Sequence, residues 1–214
     1  MTFLKLSRPS NLAWLGLLAA MAGSGNNACS NSPGPPAKAF LMATLGPGSL
    51  SGINDASACS MQSDVTWQIG NNLANKPQEY EDGSHQGAGS VHVFCQVDPG
   101  GNGFNINVSA QILGTDMSGS MSISGNVNSN GSSSNLRGIF ATMGQQFVDN
   151  NCTFTQTYNN NPVPSGGAPA SGRIWGHIDC PNAIEGGMFG MGIDGGAVDR
   201  TCEGSADFLF ENCN

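Results

Sequence analysis

The stretch FNINVSAQI, residues 104–112, alternates apolar and polar side chains along its whole length. Successive side chains of an extended chain point to opposite faces, so a sequence of this period buries one face only as a β-strand. Phe104, Ile106, Val108, Ala110 and Ile112 make the inner set, with Asn105, Asn107, Ser109 and Gln111 outside. The pattern returns in MSGSMSISGNV, residues 117–127. Met117, Met121, Ile123 and Val127 there oppose Ser118, Ser120, Ser122, Ser124 and Asn126. LGTD between the two runs carries turn residues, and the pair is predicted to form an antiparallel hairpin.

Six further segments read as strands: 65–69, 91–97, 136–143, 152–158, 172–180 and 205–213. DPGGNG (98–103), NSNGSSSN (128–135) and NNNPVPSGGAP (159–169) separate them with turn chemistry. The reading is an all-β fold of about eight strands, an antiparallel β-sandwich or a partly open barrel. LRGIFATM (136–143) is apolar on both faces and is expected to be a covered strand. Residues 70–90, with Glu79, Glu81 and Asp82, and the Gly-rich 181–201 are expected to be connections. Helix has little support. Lys, Arg and Glu are scarce, charged residues are 10% of the chain, and no long stretch repeats at 3.6 residues.

Seven cysteines bear on compartment: Cys29, Cys59, Cys95, Cys152, Cys180, Cys202 and Cys213. Six fall in the strand-bearing part and suffice for three disulfides, which an oxidising compartment favours. Cys180 and Cys202 bracket the Gly-rich connection, and a bridge between them is the expected pair; the other four leave three pairings open. Cys29 is left over.

The N-terminus explains that residue. Lys5 and Arg8 precede LAWLGLLAAMA (12–22), a layout of cationic and apolar regions that suits a secretory signal. Its apolar run is shorter than the roughly 20 residues that span a bilayer. Ala20-Met21-Ala22 fits a signal-peptidase site that would leave Gly23 first. The alternative makes Cys29 a lipidated residue followed by the tether SNSPGPPAK. An odd cysteine at the start of a tether favours lipidation, with a membrane as partner. The expected organisation is a signal peptide over 1–28, a flexible tether over 29–40 and one domain over 41–214.

From Cys29 onward five basic residues face fifteen acidic ones, a net charge of −10. Such a chain has no patch to neutralise phosphates, which argues against nucleic acid and against electrostatic adhesion to anionic membranes.

No G-x-S-x-G elbow, H-E-x-x-H or C-x-x-C spacing occurs. His85 and His92 read as solvated side chains. Arg173, Trp175, His177 and Asp179 alternate along one strand face, a possible ligand surface or the His–Asp part of a hydrolase site. DGGAVD (194–199), with Glu185 and Glu203, offers oxygen ligands for a hard cation but matches no known loop, and Met188 and Met191 read as apolar anchors. Trp67, Trp175 and Tyr158 are the aromatics available for stacking on a sugar, and equally available to a core. The sequons at Asn107, Asn130 and Asn151 add little to a chain with a bacterial type of N-terminus. The composition thus implies no cofactor and no catalytic set. It favours an exported envelope protein with a structural or binding role, with a carbohydrate-binding module and a secreted hydrolase as alternatives.

The C-terminal SGRIWGHIDCPNA and TCEGSADFLFENC resemble small exported proteins associated with myxobacteria, which carry a signal peptide, several cysteines and a closing strand of this kind. VHVFCQV and GGNGFNINV are more loosely similar to mycobacterial surface lipoprotein antigens of the LpqH kind. Both resemblances imply export, and neither implies a catalytic residue.

Overall fold

The computed structural model describes residues 34–47, 59–114, 118–142, 144–164, 166–186 and 201–214. The signal region, Cys29, Met117, Met188, Met191 and the 194–199 stretch lie outside them.

Among the described residues there are thirteen strands and no helix. They are β1 (Lys38–Gly46), β2 (Val65–Ile69), β3 (Tyr80–Glu81), β4 (His85–Gln86), β5 (Gly89–Gly100), β6 (Gly103–Leu113) and β7 (Gly119–Asn128). β8 (Ser132–Thr142), β9 (Gln145–Thr155), β10 (Thr157–Tyr158), β11 (Asn161–Pro162), β12 (Arg173–Glu185) and β13 (Thr201–Glu211) follow. Eight long strands run antiparallel in the order β1-β13-β12-β9-β8-β7-β6-β5. The all-β, disulfide-stabilised expectation holds. Of the two architectures it allowed, the chain adopts a single sheet curled into a nearly closed barrel.

The predicted hairpin is present, with Ile112 opposite Gly119 and Ala110 opposite Met121. Ile106, Val108, Ala110, Ile112, Met121, Ile123 and Val127 are all buried. Two corrections concern boundaries. The fold begins at Lys38, so 38–40 belong to β1 and not to a tether. KAFLMATLG lacks clean alternation because its outward Phe40 is covered as well. The 70–90 connection also contributes two short strands, β3 and β4.

Closure is made without a ninth long strand. The free edge of β5 is taken in turn by β4 (His85 with Ser90), by Gly83 and Ser84 bonding Val91, and by the Asp82 carboxylate accepting from Val93 N–H. Further along, Asn214 donates to Cys95 and accepts from Val97, and Gly172 donates to Val97. Asp82 and the residues next to those holding that edge reach β1 and the chain just before it: Asp82 donates to Ala37, β3 pairs Lys38 and Ala39, and Asn212 donates to Pro36. Edge amides that would otherwise be open for pairing with another chain are thereby satisfied.

Among the described residues the barrel interior is packed with large apolar side chains. Phe140, Phe147, Phe154, Phe208, Phe210 and Trp67 are essentially inaccessible to solvent. Interior glycines make space for them. A Cβ at Gly204 would lie 2.6 Å from the Phe140 ring, one at Gly176 2.3 Å from Phe154, and one at Gly119 2.7 Å from Trp67. Glycine in a strand commonly marks such a close approach.

Three disulfides join Cys59 to Cys202, Cys95 to Cys213 and Cys152 to Cys180. The expected Cys180–Cys202 bridge is therefore not formed. Cys180 lies opposite Gly204 and Cys202 opposite Ala183, with an irregularity of register between. The pairing of β12 with β9, in which Asp179 lies opposite Thr153, brings Cys180 beside Cys152, in a space that a Cβ on Gly138 would fill. Cys202 instead reaches the segment before β2. Cys95–Cys213 lies on the closing seam.

Candidate functional site

The described interior is filled with apolar side chains, and the ion-paired clusters lie on the outside of the barrel. Alternation along β1, β13 and β12 sets up three outward rows. Lys38, Glu211 and Arg173 form one, Phe40, Leu209 and Trp175 the next, and Met42, Asp207 and His177 the third.

The apolar row does not face water. Tyr158 and Val163 pack over Phe40, Leu209 and Trp175 in a second, external core. Tyr158 sits in the β10–β11 hairpin, whose loop residues Asn159 and Asn160 both have positive φ, 50° and 60°. A tight two-residue hairpin requires that conformation, and asparagine tolerates it better than most side chains. The Tyr158 hydroxyl donates to the Leu73 carbonyl at 2.9 Å and to the Asn72 side chain, clamping the 70–79 strap over this face. Burial pushes the Tyr158 hydroxyl pKa up.

Beside it an alternating Lys–Glu cluster holds the strap to the barrel. Lys38 lies 2.8 Å from Glu211 and 3.1 Å from Glu79, and Lys76 lies 3.1 Å from Glu211 and 3.5 Å from Glu79. Burial pushes the Glu79 carboxyl up in spite of the two lysines. For Lys38, burial opposes the charge, but Glu211 and Glu79 outweigh it and raise its pKa. For Glu211, burial likewise opposes the charge, and Lys38 and Lys76 prevail and lower its pKa.

Between strap and barrel opens a cleft of about 260 Å³. Asn75, Lys76, Arg173, Trp175 and Glu211 line it, with Pro164, Gly166 and Gly167 at its rim. Arg173 donates to the carbonyls of Gly166 and Ala168, which folds the 166–168 segment against Trp175.

The polar row carries His177. Its Nδ1 is 2.9 Å from Asp207 and its Nε2 3.0 Å from Asp179. Burial disfavours the charged ring, but hydrogen bonds and charge from Asp179 and Asp207 outweigh it and raise the pKa to about 9. His177 in turn holds Asp179 below its ordinary value. The imidazolium thus donates at both nitrogens, and neither is left to take a proton from a hydroxyl nucleophile.

The expected Arg173–Trp175–His177–Asp179 row is thus one face, as alternation predicted, yet its members do different work. Trp175 is 5% exposed and Trp67 1%. Neither presents an open ring for stacking on a glycan, and Trp67 is a core residue seated on Gly119. His92 lies on the surface, 4.0 Å from Asp82, and His85 is exposed. Glu185 accepts from Gln145 at 3.0 Å.

Sequence reasoning missed Asp149, which is buried within 4.8 Å of the Cys152 and Cys180 sulfurs. With those sulfurs joined no thiolate is available to a metal. The two Asp149 oxygens accept from the backbone N–H groups of Asn151 and Asn182. Asp149 therefore satisfies the irregular backbone beside the disulfide. Lys76 and Glu79 were also missed as site residues, because only the folded strap brings them to Glu211, 135 residues away from Lys76.

No protein-family model, curated protein or solved structure matches this chain.

Proposed function

We propose that this is an exported protein of the cell envelope, held to a membrane by a lipid on Cys29, with a binding role and no catalysis. The observation that carries the reading is the cysteine pairing. All six cysteines of the barrel are joined to one another, so Cys29 has no cysteine left in the chain to pair with. Three disulfides fit an oxidising compartment. A packed barrel with a sealed edge suits a durable module displayed outside the cytoplasm, and the external cleft is the place for a ligand.

Intact mass spectrometry of the mature protein from its native host tests this. Diacylglycerol on an N-terminal Cys29, with no free thiol, is the expected result. A chain beginning at Gly23 with Cys29 unmodified would refute the anchor and leave a freely secreted protein.

A further inference from the structure

The cleft between the strap and β12 holds an unusual share of the unsatisfied polarity. Five buried side-chain polar atoms among the described residues lack a hydrogen-bond partner: Ser60 Oγ, Trp67 Nε1, Glu79 Oε1, Arg173 Nε and Trp175 Nε1. Arg173 and Trp175 both line the cleft, and Glu79 is ion-paired to Lys76 on its wall. Native proteins seldom leave such groups unpaired, because each costs roughly 1–3 kcal/mol. Two of the three are N–H donors on neighbouring outward positions of one strand.

Charge is concentrated in the same place. Lys76, Arg173 and Glu211 line the cleft, and Lys38 and Glu79 are ion-paired to its Glu211 and Lys76, in a chain that is otherwise strongly acidic. Three cations against two carboxylates leave one positive charge, enough for a monoanion but a poor host for a dianion. Glu211 stands on the wall as an acceptor for hydroxyl groups. The volume, about 260 Å³, falls below the roughly 300–1,000 Å³ of drug-sized sites and suits a ligand the size of one sugar.

We propose that this cleft binds a monoanionic carboxylate that also bears hydroxyl groups, a uronic or hydroxy acid, with Arg173 and Lys76 on the carboxylate, Glu211 on a hydroxyl and the Trp175 side chain as part of the wall. This rests on the binding role given above and is independent of the Cys29 anchor. A uronate residue within a polymer and a free acid share the chemistry.

The test is titration of the ¹⁵N-labelled mature protein with D-glucuronate, D-glucose and inorganic phosphate, following the two indole N–H resonances of Trp67 and Trp175. The expected result is a saturable shift of the Trp175 signal with glucuronate only, while Trp67, enclosed in the barrel, stays still. Arg173→Gln should weaken binding about tenfold or more, as loss of a charge-assisted hydrogen bond does. Arg173 also holds the 166–168 segment, so Lys76→Gln, which leaves that segment and the Lys38 ion pairs in place, is a second check and is expected to weaken binding a few-fold. Polygalacturonate in place of the monosaccharide separates the two sources, binding to the polymer pointing to a uronate chain and binding to the monomer alone to a free acid. Equal binding of glucose would overturn the carboxylate class while keeping the cleft as a site. No shift of Trp175 with any of the probes would overturn the cleft altogether, whatever the mass of the N-terminus shows.

Discussion

Replacing both seam cysteines, Cys95→Ala with Cys213→Ala, tests how the barrel is held shut. The bridge closes a loop of 118 residues, which by chain entropy alone would contribute about 4.9 kcal/mol. Cys59–Cys202 is already in place and shortens the route. It runs 36 residues from Cys95 back to Cys59 and 11 from Cys202 to Cys213, about 47 in all. The same relation then gives about 4 kcal/mol. At a urea slope of roughly 2 kcal/mol/M, the unfolding midpoint should fall by about 2 M.

The loss should also have a location. Asn214 and Cys213 donate to Cys95 and Gly172, and Gly172 and Val97 donate to Val97 and Asn214. In the variant these four amides should exchange with solvent far faster than those of the β6–β7 hairpin, whose strands are paired on both sides within the sheet. Urea unfolding followed by tryptophan fluorescence, with hydrogen exchange read residue by residue, measures both. A midpoint drop under about 0.5 M, or faster exchange spread evenly over the barrel, would refute the seam as the place the bridge protects.

His177 makes stability depend on alkaline pH. Its pKa is raised to about 9 from an ordinary value of 6.5, so its contribution is complete below about pH 6.5 and lost as pH rises through 9. After discounting for a partly exposed site, the loss is roughly 1–2 kcal/mol; urea midpoints at pH 6 and pH 10 should show it, and His177→Gln should abolish the difference. Gly204→Ala drives a methyl group into the Phe140 ring and should cost about 1–3 kcal/mol, read as a lower thermal midpoint; an unchanged midpoint would show that Phe140 has room to move. Trp67→Ala should destabilise by about 3–5 kcal/mol yet leave glucuronate binding intact at temperatures where the variant is folded. A selective loss of binding would make Trp67 a ligand residue after all.

The period of two in β6 and β7 determined, with nothing else consulted, that this chain builds antiparallel sheet and which side chains face the core. Local steric geometry fixes that alternation, so neighbours in sequence carry the whole signal. The row Arg173, Trp175, His177 and Asp179 was legible for the same reason. The cysteine count was legible as chemistry, but not as pairing. The β12–β9 pairing sets Cys180 beside Cys152, and the segment before β2 carries Cys59 to Cys202; both placements emerge from the whole sheet.

Burial of the outward row was equally hidden. The sequence left Trp175 equally available to a sugar and to a core; Tyr158 and Val163, brought back by a hairpin, cover it. The two carboxylates that charge His177 come from β12 and β13. The Lys–Glu cluster draws on β1, β13 and a strap read as a mere connection. Alternation along one strand states which face a residue takes. Only closure of the sheet decides what stands across from that face, because those partners lie tens to more than a hundred residues away in the chain.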